Sequence, residues 1–132
     1  MCIRDRDKLF KAHKLAIKTG DFSLLDEIHH PEFSIYDPKT GFTNNYDYWK
    51  VMLRTFTGLF IYGPSHIVYE SDDFVCLQML NRRDLGNGMF DYTLGMTGIT
   101  FQSEKVIKQS HTFENLDDDP SEGQNWNWED YE

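Results

Sequence analysis

From Met89 to Phe101, Phe90, Tyr92, Leu94 and Met96 alternate with Asp91, Thr93, Gly95 and Thr97. From Lys105 to Asn115, Ile107, Gln109, His111 and Phe113 share one phase and Lys108, Ser110 and Thr112 the other. A period of two is that of a strand with unlike faces, so these stretches predict one long hairpin. On this reading His111 points to the face that carries the apolar side chains. Thr93, Gly95, Thr97 and Ile99, beside Ser110 and Thr112, form a small, uncharged outer face suited to sheet-to-sheet contact.

Upstream the period lengthens. Leu9, Phe10, His13, Ala16 and Ile17 recur at helical spacing between Asp7 and Lys18, with Lys8, Lys11, Lys14 and Lys18 on the other faces, which predicts an amphipathic helix. Gly20 stops it, and Asp21 caps a short second helix with a Leu24, Leu25, Ile28 stripe that ends before Pro31. His29 and His30 fall at that helix's end. Adjacent residues do not share a helix face, so a helix C-terminus suits them better than a metal does. Phe33 to Tyr36 predicts a short strand closed by Asp37-Pro38, which leaves Asp37 at its mouth. Thr43 or Asn44 then caps a long helix carrying Trp49, Met52, Leu53, Phe56, Leu59 and Phe60, with Gly63-Pro64 as its end. Strands are expected at Ser65 to Ser71 and Phe74 to Arg83, around an Asp72-Asp73 turn, and Leu85 to Gly88 turns the chain into the hairpin. After Leu116 periodicity vanishes, predicting an extended, mostly mobile acidic tail over 117–132 with Trp126, Trp128 and Tyr131 interleaved, the alternative being that its tryptophans dock on the body or on a second subunit.

Composition narrows the function classes. The chain has 132 residues, 39% of them hydrophobic and 15% aromatic, enough for one domain with its own core. No apolar run reaches membrane-spanning length, and a formal net charge of -9 argues against a polyanionic partner, which needs clustered Lys and Arg. Neither nucleic acid nor a membrane is therefore expected as partner. Cys2 and Cys76 lack metal-ligand spacing and point to a reducing, cytoplasmic setting. Met1 to Arg6 reads as translated sequencing adapter at the start of a metagenomic reading frame, so 1–6 is expected to be a non-native or disordered lead and 7–116 the domain.

Helix, short helix, short strand, long helix and then long antiparallel strands imply an α+β layout with the helices on one sheet face. Within it Lys18-Thr19-Gly20-Asp21, Phe33-Ser34-Ile35-Tyr36-Asp37-Pro38, Gly41, Glu70-Ser71-Asp72-Asp73 and Lys105-Val106 are spaced as in a known family. Over 7–116 the chain resembles the NTF2-like superfamily, in its SnoaL-like and ketosteroid-isomerase-like branch. The resemblance implies a cone, a strongly curved mixed or antiparallel sheet wrapped around three N-terminal helices with an internal pocket. It also implies a homodimer through the outer sheet face. The superfamily holds isomerases, cyclases, epoxide hydrolases, dehydratases and non-catalytic modules, so function has to come from the site.

Asp37-Pro38 stands where ketosteroid isomerases carry their general base, and a carboxylate in an apolar cavity has its pKa raised toward the working pH. The tyrosine and the protonated acid of their oxyanion hole fall near His13 and Thr97 here. His111 occupies the place of a catalytic carboxylate on the last strand of related cyclases and hydrolases, and it could pair with Asp37 across the cavity. Arg82 and Asp84 are similar to the Arg-x-Asp of limonene-epoxide-type hydrolases. The expected pocket is lined by Trp49, Leu53, Phe56, Tyr92, Leu94 and Phe113, with Tyr36, Asp37, Gln109 and His111 as its polar groups. The leading expectation is acid/base chemistry without cofactor or metal, of isomerase, cyclase or hydratase type, on a small hydrophobic molecule. The rival is a pocket that only binds, or a dimeric interaction module, and convergence of Asp37 and His111 separates the two.

Overall fold

A computed structural model describes residues 3–132, so Met1 and Cys2, in the expected lead, lie outside the described residues. The described chain runs α1 (Ile3–Thr19), α2 (Ser23–Ile28), β1 (His29–Tyr36), β2 (Thr43–Asn44), α3 (Tyr46–Thr55), β3 (Phe60–Glu70), β4 (Phe74–Gly86), β5 (Met89–Gln102), β6 (Lys105–Leu116) and a closing 3-10 turn, Trp128–Tyr131. The strands form one open sheet in the order β2-β1-β6-β5-β4-β3. β1 and β6 run parallel and the other neighbours antiparallel. Leu9, Ala12, Ala16 and Ile17 of α1, Leu25 and Ile28 of α2 and Leu53 of α3 bury against Phe33, Ile35, Val75, Leu77, Ile99 and Val106 of the sheet. This is the expected α+β cone. No described helix is long and apolar enough to cross a membrane.

Local chemistry sets the elements. Asp21 Oδ1 accepts from the Ser23 amide and hydroxyl at the start of α2, and His29 places Nδ1 2.8 Å from the Leu25 carbonyl at its end. His29 and His30 nevertheless belong to β1, which starts directly after the helix. Asn45, one or two residues later than expected, caps α3 by accepting from the Tyr48 amide. α3 stops at Thr55, well before Gly63-Pro64, because Gly58 at φ +77° turns the chain into β3. Leu59 and Phe60 thus leave the helical stripe. Pro64 lies where the β3 register to β4 shifts, on an edge strand that can spare its missing N–H.

The hairpin forms as predicted, but β5 has the opposite phase. Cross-strand partners share a face, and Gly95 pairs with Phe113, Thr97 with His111 and Ile99 with Gln109. Thr93, Gly95, Thr97 and Ile99 therefore look inward, while Tyr92, Leu94 and Met96 look outward. Space explains the choice: a Cβ at position 95 would come within 2.9 Å of the Phe113 ring and 3.3 Å of Asn81 Nδ2. On β6 a register shift leaves Ile107 without a partner on β5 and gives the core position to Val106, so Ile107 departs from the phase of Gln109 and His111.

The tail is not extended but docks on the body of the domain. Trp128, 4% exposed, lies so close to Gly63 that a Cβ there would stand 2.6 Å from its ring. Its Nε1 donates to Asp119 Oδ1 at 3.0 Å, and its ring meets Trp126 and Tyr92. The indoles supply the apolar area that periodicity alone hides.

Candidate functional site

Three neighbouring strands project inward in rows: Leu77, Thr97 and His111, then Met79, Gly95 and Phe113, then Asn81, Thr93 and Asn115. Across from these rows α1 carries Leu9, Phe10 and His13, α3 carries Trp49 and β3 carries Tyr62. Together they enclose a cavity of about 400 Å³, within the small-molecule range, whose wall also includes Gln109 and, from the tail, Tyr131. A second cavity of about 280 Å³ shares Trp49, Tyr62, His111 and Phe113 with the first and adds Leu53 and Phe56.

The expected site residues divide on this geometry. His111, Gln109, Phe113 and Trp49 converge on the main cavity, and Leu53 and Phe56 on its neighbour. Tyr92 and Leu94 line neither, because the phase of β5 turns them outward; Tyr92 meets Trp128 instead. Tyr36 is 45% exposed on the outer sheet face beside Ser110 and Thr112. Arg82 stacks on Phe90 and approaches Glu132, while Asp84 accepts from the Gly86 amide, so this pair lies outside the main cavity.

Asp37 is the instructive case. One residue past the last β1–β6 pair, Tyr36 with Ser110, it stands beside His111 in register. Its Oδ1 accepts the Lys39 amide at 2.9 Å, an ordinary turn bond, and the residue lines neither cavity, so Asp37 and His111 do not converge on one cavity as the catalytic expectation required. What reaches His111 is its charge: burial lowers the imidazole pKa, and Asp37 opposes that by raising it. His111 packs at 5.5 Å from the Trp49 ring and 4.8 Å from the Phe113 ring.

The polar lining is richer than the sequence suggested. His13 has its pKa lowered to about 3, by burial first and by His29 second, so it is a neutral imidazole at ordinary pH. Its open surface is toward the cavity, among Trp49 and Tyr62 at 6.4 and 6.3 Å between ring centres. Burial raises the pKa of Tyr62 and keeps its hydroxyl protonated. Asn81, 1% exposed, gives Nδ2 to Thr93 Oγ1 at 3.4 Å and leaves Oδ1 without a partner. Gln109 Oε1 and Trp49 Nε1 are buried without partners too. Each such atom costs about 1–3 kcal/mol unless something bonds to it. Among the described residues the lining holds no carboxylate, and its cation, Lys14, belongs to an exposed position of α1. The resemblance had placed His13 near the oxyanion-hole tyrosine of ketosteroid isomerases, whereas Tyr62 was hidden just before the Gly63-Pro64 end of the expected long helix, and Asn81 as one polar residue in an apolar strand. The available signal was Asn81 in phase with Val75, Leu77 and Met79.

No protein-family model matches the chain, and no curated protein sequence does. Solved structures do. An NTF2-like protein from Anabaena variabilis superposes with a TM-score of 0.71 at 12% identity, over 85% of this chain and 88% of that one. IdmH from Streptomyces antibioticus, described as a candidate polyketide cyclase, gives 0.67 at 16% identity, over 84% and 92%. TerC, crystallised with polyporic acid, gives 0.66 at 14% identity, over 83% and 91%. At these identities the likeness shows the fold, which is NTF2-like.

Proposed function

We propose that this protein binds a small hydrophobic molecule in the main cavity and performs acid/base chemistry on it without a cofactor, with His111 as the proton-exchanging group. The observation that carries this reading is His111 in the cavity wall with the charge of Asp37 behind it. Burial favours the neutral imidazole, which can accept a proton from an acidic C–H or O–H of the ligand. The imidazolium so formed is stabilised by Asp37, and it returns the proton at another position of the same molecule. That balance fits an isomerase or cyclase type of step; in a hydratase type the proton that His111 takes comes from a water that adds to the molecule, and His111 returns it to the neighbouring carbon. Asp37 then acts on His111 and not on the ligand, which is the reverse of the role its Asp-Pro motif suggested. Trp49 Nε1 and the Tyr62 hydroxyl are donors for the oxygen on which negative charge develops. IdmH and TerC lend fold-level analogy to a small-molecule site.

The same reading includes a homodimer through the outer sheet face, now carried by Leu94 and Met96 beside Ser110 and Thr112, with Met96 41% exposed, while Tyr92 on that face is taken up by Trp128. A cytoplasmic setting accords with the free thiol of Cys76.

The test is deuterium exchange. Cyclic diketones and enones in deuterated buffer should lose their α-proton NMR signals faster with the protein than without it, and His111→Asn should reduce that acceleration by about 10²–10⁴-fold. Ligands that bind with no exchange at any position would leave a binding pocket and remove the catalytic reading.

A further inference from the structure

Two primary amides stand at opposite ends of the main cavity. Gln109 lies in the inward row of Val75 and Ile99, Asn81 lies three rows further along with Thr93, and His111 and Phe113 occupy the rows between. Three rows are six residues, on the order of 20 Å along the backbone, and the concave side of the sheet brings the side-chain ends closer than that. Both residues are more than nine-tenths buried, and each has an amide oxygen without a partner.

We infer that Asn81 and Gln109 are specificity-determining residues that select an elongated, uncharged ligand with an apolar middle and a hydroxyl at each end. This rests on the reading of the cavity as a ligand site and adds what the site chooses. A hydroxyl is the group that suits both amides in either orientation. Thr93 Oγ1 can accept from or donate to Asn81, so exchanging the oxygen and nitrogen of that amide still presents one polar group inward, and a hydroxyl both donates and accepts. An ether accepts but donates nothing. A carboxylate meets amide oxygens in a lining that, among the described residues, offers it no buried cation. The middle of the cavity, between Met79, Phe113, Trp49 and Leu77, suits flat apolar rings.

Four matched probes test this with the full chain: 4,4′-dihydroxybiphenyl, 4-hydroxybiphenyl, 4,4′-dimethoxybiphenyl and biphenyl-4,4′-dicarboxylate, each titrated calorimetrically. The dihydroxy compound should bind about tenfold or more tighter than the monohydroxy compound, and that one tighter than the diether, with the dicarboxylate weakest. Asn81→Leu and Gln109→Leu should each erase one step of the series while the diether binds as well as before; circular dichroism checks that each variant folds. The series with the unaltered protein decides the matter even if a variant does not fold. Equal affinity for the dihydroxy compound and the diether, tightest binding of the dicarboxylate, or a hydroxyl preference that survives both substitutions would overturn the assignment while the pocket stands. Failure of all four to bind would overturn the pocket reading with it.

Discussion

At the junction of α2, β1 and the start of β6, Leu25, Ile28, Phe33, Ile35 and Val106 close into an apolar core, whereas further along the same sheet the inward positions pass to Gln109, His111 and Asn81. Both regions obey one alternation, yet the first leaves one ring nitrogen, His29 Nε2, unpaired in an otherwise apolar interior, whereas the second leaves Asn81 Oδ1, Gln109 Oε1 and Trp49 Nε1 unpaired. α1 shows the same division, with Ala12 and Ala16 in the core and His13 in the cavity wall. Polar atoms buried against their own interest belong where a partner from outside can bond to them. The core keeps the cone folded, and the cavity wall forgoes some of that stability for recognition.

The sharpest break of this contrast is a pair of substitutions with unlike outcomes. Leu25, fully buried, should cost about 2–5 kcal/mol on replacement by Ala, through lost transfer energy and the void left behind. Asn81→Leu, of the same branching but bulkier and with the cavity beside it to take up the excess, should leave stability unchanged or raise it by about 1 kcal/mol, since an unpaired buried oxygen disappears. Urea unfolding of both variants reads the difference. A loss in Asn81→Leu as large as that in Leu25→Ala would show that the amide is structural and that the two regions do not differ in kind.

The core was legible in the sequence because its signal is local. Leu9, Ala16 and Ile17 announce a helix by spacing, and the Asp72-Asp73 and Asn87-Gly88 turns announce their hairpins. The cavity wall was legible only in part. His111, Gln109 and Phe113 follow from the β6 phase, but β5 has apolar residues in both phases, and only its pairing with β6 decides that Thr97, not Met96, stands opposite His111. Asp37 was found by its motif, but its place outside both cavities was not legible, because a turn bond to Lys39 cannot be told from a cavity position by spacing. Where the tail docks was not legible for a related reason: Trp128 sits against Gly63, a contact with no period.

Acid should separate the regions next. The folded-state pKa of His13, about 3, lies far below the roughly 6.5 of an exposed imidazole, so between these values the unfolded chain binds a proton that the folded chain refuses. Stability is therefore fully present above pH 6.5 and falls as pH drops toward 3. From pH 7 to pH 5 the loss from this one group is about 2 kcal/mol. His13→Gln removes that component, so its unfolding free energy should fall less over the same interval, while Leu25→Ala, with nothing to titrate, should keep the unaltered slope. Parallel pH profiles for His13→Gln and the unaltered chain would mean that His13 already carries a proton or stays hydrated in the cavity.

The smallest expected effect bears most directly on mechanism. Asp37 raises the pKa of His111 against the lowering by burial, so neutralising it should move the imidazole titration down in pH. Asp37→Asn is the informative change, because its amide oxygen can still accept the Lys39 N–H and hold the turn. The Cε1 proton of His111, followed by NMR, should titrate at lower pH in Asp37→Asn, and the acidic limb of any exchange activity should move in the same direction. Turnover should also fall, since the imidazolium loses the charge that stabilises it, while affinity for neutral probes stays the same. Asp37→Ala, which removes both the charge and the turn acceptor, separates a loop effect: a change in Asp37→Ala that is absent in Asp37→Asn belongs to the turn. If Asp37→Asn leaves the His111 titration where it was, Asp37 is a turn residue and nothing more, and His111 works in the cavity without a charged partner.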